Sequence, residues 1–419
     1  MNKKKIINDP VYGFITIKSD LIFDIIQHPI FQRLRRIKQL GLTELIYPGA
    51  HHTRFHHAIG AMHLMSLALD SLASKGVDIT EEEYEQAQIA VLLHDVGHGP
   101  FSHALEFSLL KGIKHESLSF ILMKELNDEF EGKLHLSLKI FQNSHPRKFL
   151  HQLISSQLDV DRLDYLKRDS FFTGVSEGSI GLERIIAMLN VYDDQIVIEE
   201  KGLYSIENFL NARRLMYWQV YLHKTSVSAE KMLINLILRA KELASNGHQI
   251  QGSRALLQFL QNDYTLEDFQ NHTDLVTLYG KLDDHDIWGA IKYWQDHKDF
   301  ILRTLSSALL NRNLFKIKLT NEPLNKIQLE ALRKQIAEKY EIKNAETRYF
   351  FAHGEVTNKA YVPENSSINI LSKTGELINI ADAVDLPNIK AISKIVKKYY
   401  LCFPKNVYLP MVKSAYKSI

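Results

Sequence analysis

Apolar residues recur every three or four positions along most of this chain, the mark of helices that bury one face. That period predicts helices over residues 20–40, 56–75, 80–95, 101–110, 115–127, 147–168 and 179–190, and a long helical stretch over 205–245. Two places follow a period of two instead. Residues 5–17, KIINDPVYGFITI, read as a turn and short strand, alternating after Asp9-Pro10. QIVIEEKGLYSI alternates around Lys201-Gly202 and predicts a small hairpin inserted between helices. Near residue 315 the texture changes. LFKIKLT, RYFFAHGEVT and SSINILSKTGELINI alternate as strands do, separated by the helical LEALRKQIAEKY and followed by AISKIVKKYYLCF. The expected architecture is mainly α with a small β-hairpin insertion and a C-terminal α+β region, divided into domains over 1–312 and 313–419.

Composition narrows this picture without redrawing it. The chain has 419 residues, 45% hydrophobic and 24% charged, which is ordinary globular usage for about two domains. Lys and Arg number 51 against 49 Asp and Glu, so overall charge does not point to nucleic acid or another polyanion. Cys402 is the only cysteine, which excludes an intrachain disulfide and a thiolate zinc site and fits a reducing cytoplasm. The start, MNKKKIINDPVYGF, lacks the apolar core of a signal peptide, and no apolar run approaches membrane-spanning length.

The candidate chemistry lies in AVLLHDVGHGPFSHALE, residues 90–106, which sets His94, Asp95, His98, His103 and Glu106 at the end of an apolar run. Burying ionisable groups is costly unless they are paired or bind a metal. Imidazole and carboxylate are good ligands for Mn, Fe, Ni, Co or Zn, and a mixed site with open positions can activate water. His94 and Asp95 can share one ion only where the helix ends, and Gly97 with Gly99-Pro100 supplies that ending. His57 and Asp161 would complete the sphere from separate elements.

HDVGHGPFSH, with RFHH upstream and DVDRLDY downstream, resembles the HD-domain superfamily of metal-dependent phosphohydrolases. INDPVYGFI, HPIFQRLRRIKQLG, YPGAHHTRFHHAIG, RRLMYWQVYLHK and NRNLFK extend the resemblance, in order, to its deoxynucleoside triphosphate triphosphohydrolase branch. The resemblance implies an HD-domain helical fold with His57, His94, Asp95 and Asp161 as metal ligands, and gives His56 no role. His98, His103, Glu106 and His115 would handle protons, His103 as the acid toward the departing 5′ oxygen; vertebrate relatives have aspartate where Glu106 stands. Arg54 and Arg213 would meet phosphates, as would Arg162, which stands in place of a lysine. Tyr165 and Tyr221 would pack on the sugar, Asp169 and Gln39 bond its 3′ hydroxyl, and Leu40 lie against the base. Lys5, Gln32, Arg35, Arg312 and Lys316 match positions where activating nucleotides bind between subunits, whereas Gln27 replaces an aspartate that reads guanine. No SAM domain is expected ahead of this region. The implied reaction is hydrolysis of a deoxynucleoside triphosphate (dNTP) to deoxynucleoside and inorganic triphosphate, with Mg²⁺ on the phosphates, in a homo-oligomer. Two other readings stay open: a different HD phosphohydrolase, such as a nucleotidase or nucleic-acid phosphodiesterase, and a non-catalytic nucleotide sensor.

Overall fold

The computed structural model describes residues 5–110, 112–358, 367–382 and 396–408. The N-terminal alternation forms a full antiparallel hairpin, β1 (Lys5–Asp9) on β2 (Gly13–Ile17), in the register Lys5↔Ile17 to Asp9↔Gly13. Asp9 closes the turn by accepting the N–H groups of Val11 and Tyr12 through Oδ1, at 2.8 and 3.0 Å. Its other oxygen is thereby left for a partner deeper in the molecule.

The helix expected over 20–40 stops at Gln27. Ser19 caps its start, and Ile22, Ile25 and Ile26 bury its apolar face. Pro29 ends it, because the residue before a proline is driven out of the helical region and His28 is extended. Short turns follow, Ile37 is extended, and Lys38 forms a bridge with Thr53 before the next helix: Gln39 N–H donates to His52 O and Arg54 N–H to Ile37 O. That helix, Arg54–Ser74, begins two residues earlier than its pattern suggests, since the His56 ring accepts the Thr53 N–H at 3.1 Å and fixes the start. It packs on the Glu81–Leu93 helix, whose last five residues are all fully buried.

Two long predicted helices are broken, each by its own polar residues. The stretch 147–168 resolves into Lys148–Gln152 and Val160–Thr173. Between them Asp159 accepts from Ser156 N–H and Arg162 N–H, and Ser156 Oγ accepts from Leu158 N–H, so side chains replace helical partners. The stretch 205–245 resolves into Leu203–Met216, a π-helical turn Tyr217–Tyr221, and Lys224–Ser245, which is restarted by the His223 ring accepting Thr225 N–H. The inserted hairpin exists but turns earlier than expected. β3 (Leu189–Tyr192) and β4 (Gln195–Glu199) are joined at Asp193-Asp194, while Lys201-Gly202 lies in a 3₁₀ turn before the Leu203 helix. Both aspartates are left-handed, φ 48° and 58°, as a tight two-residue hairpin demands.

Toward the C-terminus come β5 (Lys316–Thr320), the Lys326–Tyr340 helix, β6 (Ala352–Asn358), β7 (Asn369–Leu371), β8 (Leu377–Asn379) and β9 (Val396–Phe403). The order β5-β9-β6 makes one antiparallel sheet. The β7–β8 hairpin joins β3 and β4 instead, through a parallel pairing of Ile198 with Ile370 and of Glu199 with Leu371. The fold is mainly helical, with one core under the Arg54, Glu81 and Val160 helices. Among the described residues no helix is long and apolar enough to cross a membrane.

Candidate metal centre and active site

Three elements converge on one point. His57 projects from the first turn of the Arg54 helix, His94 caps the end of the Glu81 helix, and Asp161 lies in the first turn of the Val160 helix. Their ligand atoms lie within 4.8 Å of one another. His57 Nδ1 is 2.8 Å from Asp164 Oδ2, and His94 Nδ1 is 2.6 Å from Val91 O, so in each ring, when neutral, Nδ1 is the donor and Nε2 carries the lone pair. Both Nε2 atoms are buried and lack a hydrogen-bond partner, although Asp161 Oδ1 is 3.1 Å from one and 3.6 Å from the other. Close approach without hydrogen-bond alignment means that the two lone pairs and the carboxylate face a shared point. Asp95 flanks it, with Oδ1 3.3 Å from His94 Nε2 and Oδ2 3.7 Å from His57 Nε2. Two imidazoles with outward hydrogen bonds and two carboxylates are a donor set that fits a divalent transition metal.

The electrostatics agree with this arrangement. Burial alone would raise the Asp95 carboxyl, but His94, His98 and Arg54 hold it well below the usual carboxylate range. Burial likewise opposes ionisation of Asp161, and the adjacent His57 and His94 rings overcome it and lower its carboxyl. Burial pulls His57 down, whereas Asp161 and Asp164 push it up to about 10. Asp164 is anchored in turn by Arg168, through two contacts of 3.0 Å, and Arg168 reaches the spare oxygen of Asp9 at 2.8 Å.

Beside this point stands a second histidine group. His98 lies 3.4 Å from Asp95 Oδ1 and stacks on His115, with centroids 3.8 Å apart and planes 16° from parallel. Glu106 Oε1 takes both His115 N–H, at 2.9 Å, and His115 Nδ1, at 3.2 Å. Asp95, His98 and His115 also bring ligand atoms together. Parallel rings that close cannot both aim in-plane lone pairs at one ion, so the stack does not fit a second metal. Burial, and then Arg54, press His98 well below its usual value and keep it neutral. The side chain of His103 lies outside the described residues. The chain reaches this group through Phe101 and Ser102, both left-handed at φ 53° and 50°. Such backbone costs about 1–3 kcal/mol per residue and persists only where contacts fix it. Here Phe101 N–H donates to Asp284 Oδ1 at 2.7 Å, and Ser102 Oγ accepts from Arg54 Nε at 2.8 Å.

The predicted substrate residues separate into pairs. Arg54 Nη1 grips Asp95 Oδ2 at 2.5 Å. Arg162 pairs with Asp159, and Arg213 donates to Gln157 Oε1 at 3.0 Å. Tyr165 meets Tyr221 edge to face at 6.0 Å, and the Tyr221 hydroxyl donates to Asp169 Oδ2 at 2.8 Å. Gln39 has a buried Oε1 without a partner, and Leu40 is half-buried beside it in the chain. Of the predicted activator residues, Arg35 Nε donates to Gln32 Oε1 at 2.8 Å and its guanidinium covers Phe55, while Lys5 covers Phe23. Arg312 instead donates to Leu45 O, Lys316 opens β5, and Gln27 is exposed at the end of its helix.

Several participants escaped the sequence reading. Asp164 and Arg168 were available as the spacing i, i+3 and i+7 from Asp161, the rhythm of one helix face. Arg33, wholly buried, carries no such signal: its Nη2 holds the carbonyls of Val96 and His98, at 2.7 and 2.8 Å, and its Nη1 holds Leu282 O at 2.9 Å. Tyr279 completes that brace by donating to Gly97 O at 2.7 Å.

The chain is similar in sequence and fold to known proteins. The profile of the HD domain matches residues 54–169, and that of the HD associated region matches 180–252. A crystal structure of a phosphohydrolase from Bacteroides thetaiotaomicron is similar over 96% of this chain and 100% of its own, at 53% identity and a TM-score of 0.93. An uncharacterized protein of Bacillus subtilis is 36% identical over 327 residues, 75% of this chain and 72% of its own. A deoxynucleoside triphosphate triphosphohydrolase SAMHD1 homolog of Dictyostelium discoideum is 32% identical over 272 residues. That match covers 60% of this chain and 52% of the relative, so the chain spans about half that protein's length.

Proposed function

The chain belongs to the HD-domain family of phosphohydrolases, and from that premise we propose that it hydrolyses deoxynucleoside triphosphates to deoxynucleoside and inorganic triphosphate. The observation that carries the substrate reading is a stripe on one helix. Asp161, Tyr165 and Asp169 stand at i, i+4 and i+8, so one face of the Val160 helix presents a metal ligand, an aromatic ring and a hydroxyl acceptor in sequence. Tyr221 closes the far end of that stripe against Asp169. A phosphate ester lying along it would place its reacting phosphorus near His57, His94, Asp95 and Asp161 and its sugar between the two tyrosines.

A divalent ion held by His57, His94, Asp95 and Asp161 would supply Lewis acidity and lower the pKa of water. The protein's own groups do the rest. Arg54, Arg162 and Arg213 bring cationic forks for the phosphate chain. The orphaned Gln39 Oε1 is an acceptor waiting for a sugar hydroxyl. Glu106 fixes His115 and, through the stack, His98, so the proton needed by the departing 5′ oxygen is handled within the His98, His103, Glu106 and His115 group. Lys5, Gln32, Arg35, Arg312 and Lys316 remain the proposed contacts of an activating nucleotide in a homo-oligomer.

Purified protein incubated with each dNTP, in Mn²⁺ and in Mg²⁺, with and without a second nucleotide, should release inorganic triphosphate. Pyrophosphate or orthophosphate as product would reject the reading. His94→Ala with Asp95→Ala should abolish turnover while the protein stays folded; retained turnover would remove the metal centre from the chemistry.

A further inference from the structure

His52 has no role in the reaction as described so far, yet its surroundings are closely specified. Its side chain is wholly buried, and its Nε2 lies 2.7 Å from Asp169 Oδ1. Its ring stacks on Phe172, with centroids 4.6 Å apart and planes 18° from parallel. Asp169 and Phe172 are three positions apart on the Val160 helix and share a face, so the two contacts fix the imidazole in both plane and rotation. The loop that delivers His52 is pressed on the same helix: a Cβ at Gly49 would come 2.5 Å from Phe172 O. Against a carboxylate, which only accepts, Nε2 is the donor. Nδ1 is left buried with no hydrogen-bond partner, so the ring is oriented for Asp169 and for nothing else.

The carboxylate of Asp169 thus has one donor on each oxygen, His52 on Oδ1 and the Tyr221 hydroxyl on Oδ2. Those use two of its roughly four lone-pair sites and leave acceptor capacity for a ligand. Tyr221 sits on the π-helical turn and is itself read as a sugar contact. His52 is packed among protein groups alone, so its hold on Asp169 needs no sugar. We infer that His52 is a positioning residue for the sugar pocket: by fixing the Asp169 carboxylate it sets the selection for a substrate 3′ hydroxyl. The inference rests on the reading of the site as a dNTP triphosphohydrolase.

The test compares wild type, His52→Leu and His52→Gln on a dNTP and on its 2′,3′-dideoxy counterpart, following triphosphate release, with melting temperature and metal content as checks on folding. Loss of a hydrogen bond to a charged group should raise KM for the dNTP about tenfold or more in His52→Leu. The value of kcat should stay within about twofold, and KM for the dideoxy substrate should not move. His52→Gln, whose amide can still donate to Asp169, should recover selectivity. If His52→Leu does not fold, His52→Asn, with a shorter amide, carries the same comparison. Equal loss on both substrates, a fall in kcat alone, or no recovery in His52→Gln would overturn the assignment and leave the proposed reaction intact. Absence of dNTP turnover in wild type would overturn the reaction and the assignment with it.

Discussion

Asp164 is not placed among the metal ligands, yet it decides what His57 can offer. By accepting from Nδ1 it turns Nε2 and its lone pair toward Asp161, and Arg168 and Asp9 hold it there. Removing such an outer partner typically weakens metal binding about 10–100-fold. Asp164→Ala should show that loss in a Mn²⁺ titration, together with a lower melting temperature, since breaking a buried ion pair costs about 3–5 kcal/mol. Undiminished Mn²⁺ affinity would refute the role. His57 also predicts a pH dependence. Its value rises from about 6.5 in an unfolded chain to about 10 in the fold, so its stabilisation is complete below about 6.5 and is lost as pH climbs toward about 10. A metal must displace that same proton, so apparent Mn²⁺ affinity should increase from pH 6 to pH 9, with protons released on binding. Affinity that is flat over that range would contradict the assignment of His57 as a ligand. At this scale the sequence was informative about which residues cluster, because the His-Asp doublet and its flanking motifs are local. The outer partners were harder to read, because Asp164 meets His57 across 107 positions and Arg168 meets Asp9 across 159.

At the scale of elements, the loop after His94 is braced on all sides. Arg33 and Tyr279 hold its carbonyls, Ser119 Oγ accepts the Gly97 N–H at 2.9 Å, and Asp284 holds Phe101. Gly97 itself lies against the His115–Glu129 helix so closely that a Cβ would meet Ser119 N at 2.2 Å and His115 O at 2.4 Å. Both are backbone atoms and cannot swing aside. Gly97→Ala should therefore part the loop from that helix, cost about 1–3 kcal/mol as overpacking does, and disturb the His98–His115 stack. A melting curve and the triphosphate-release assay would check this together; wild-type values in both would show that the contact can relax. Helical periodicity located most helices but not their breaks. At 153–158 and 217–223 the apolar rhythm continues while Asp159, Ser156 and His223 divert backbone groups, and Asp193-Asp194 makes a tight turn without the glycine that usually marks one.

At the scale of the whole molecule, the boundary drawn between 312 and 313 is crossed by several contacts. β7 adds to β4 through Ile198 and Ile370, Ser228 Oγ donates to Phe315 O at 2.9 Å, and Asn235 Nδ2 donates to Tyr349 O at 3.1 Å. The C-terminal strands are thus partners of the helical body, and we predict one cooperative thermal transition. Ile370→Asp, placing a charge at a position only 1% exposed, should lower that single transition, followed by helical circular dichroism. Helical signal that melts at the wild-type temperature would mean that the C-terminal region unfolds alone. The sequence by itself determined most of the elements and where the His-Asp cluster lies: hydrophobic period and the His-Asp motif are properties of neighbouring residues, and they are written in order along the chain. Tertiary structure alone decided that Asp9 and Arg168 support His57, that His52 supports Asp169, and that β7 completes a sheet begun at β3. Those depend on which faces meet when helices pack, and residues far apart in sequence leave no mark on each other until that packing brings them together.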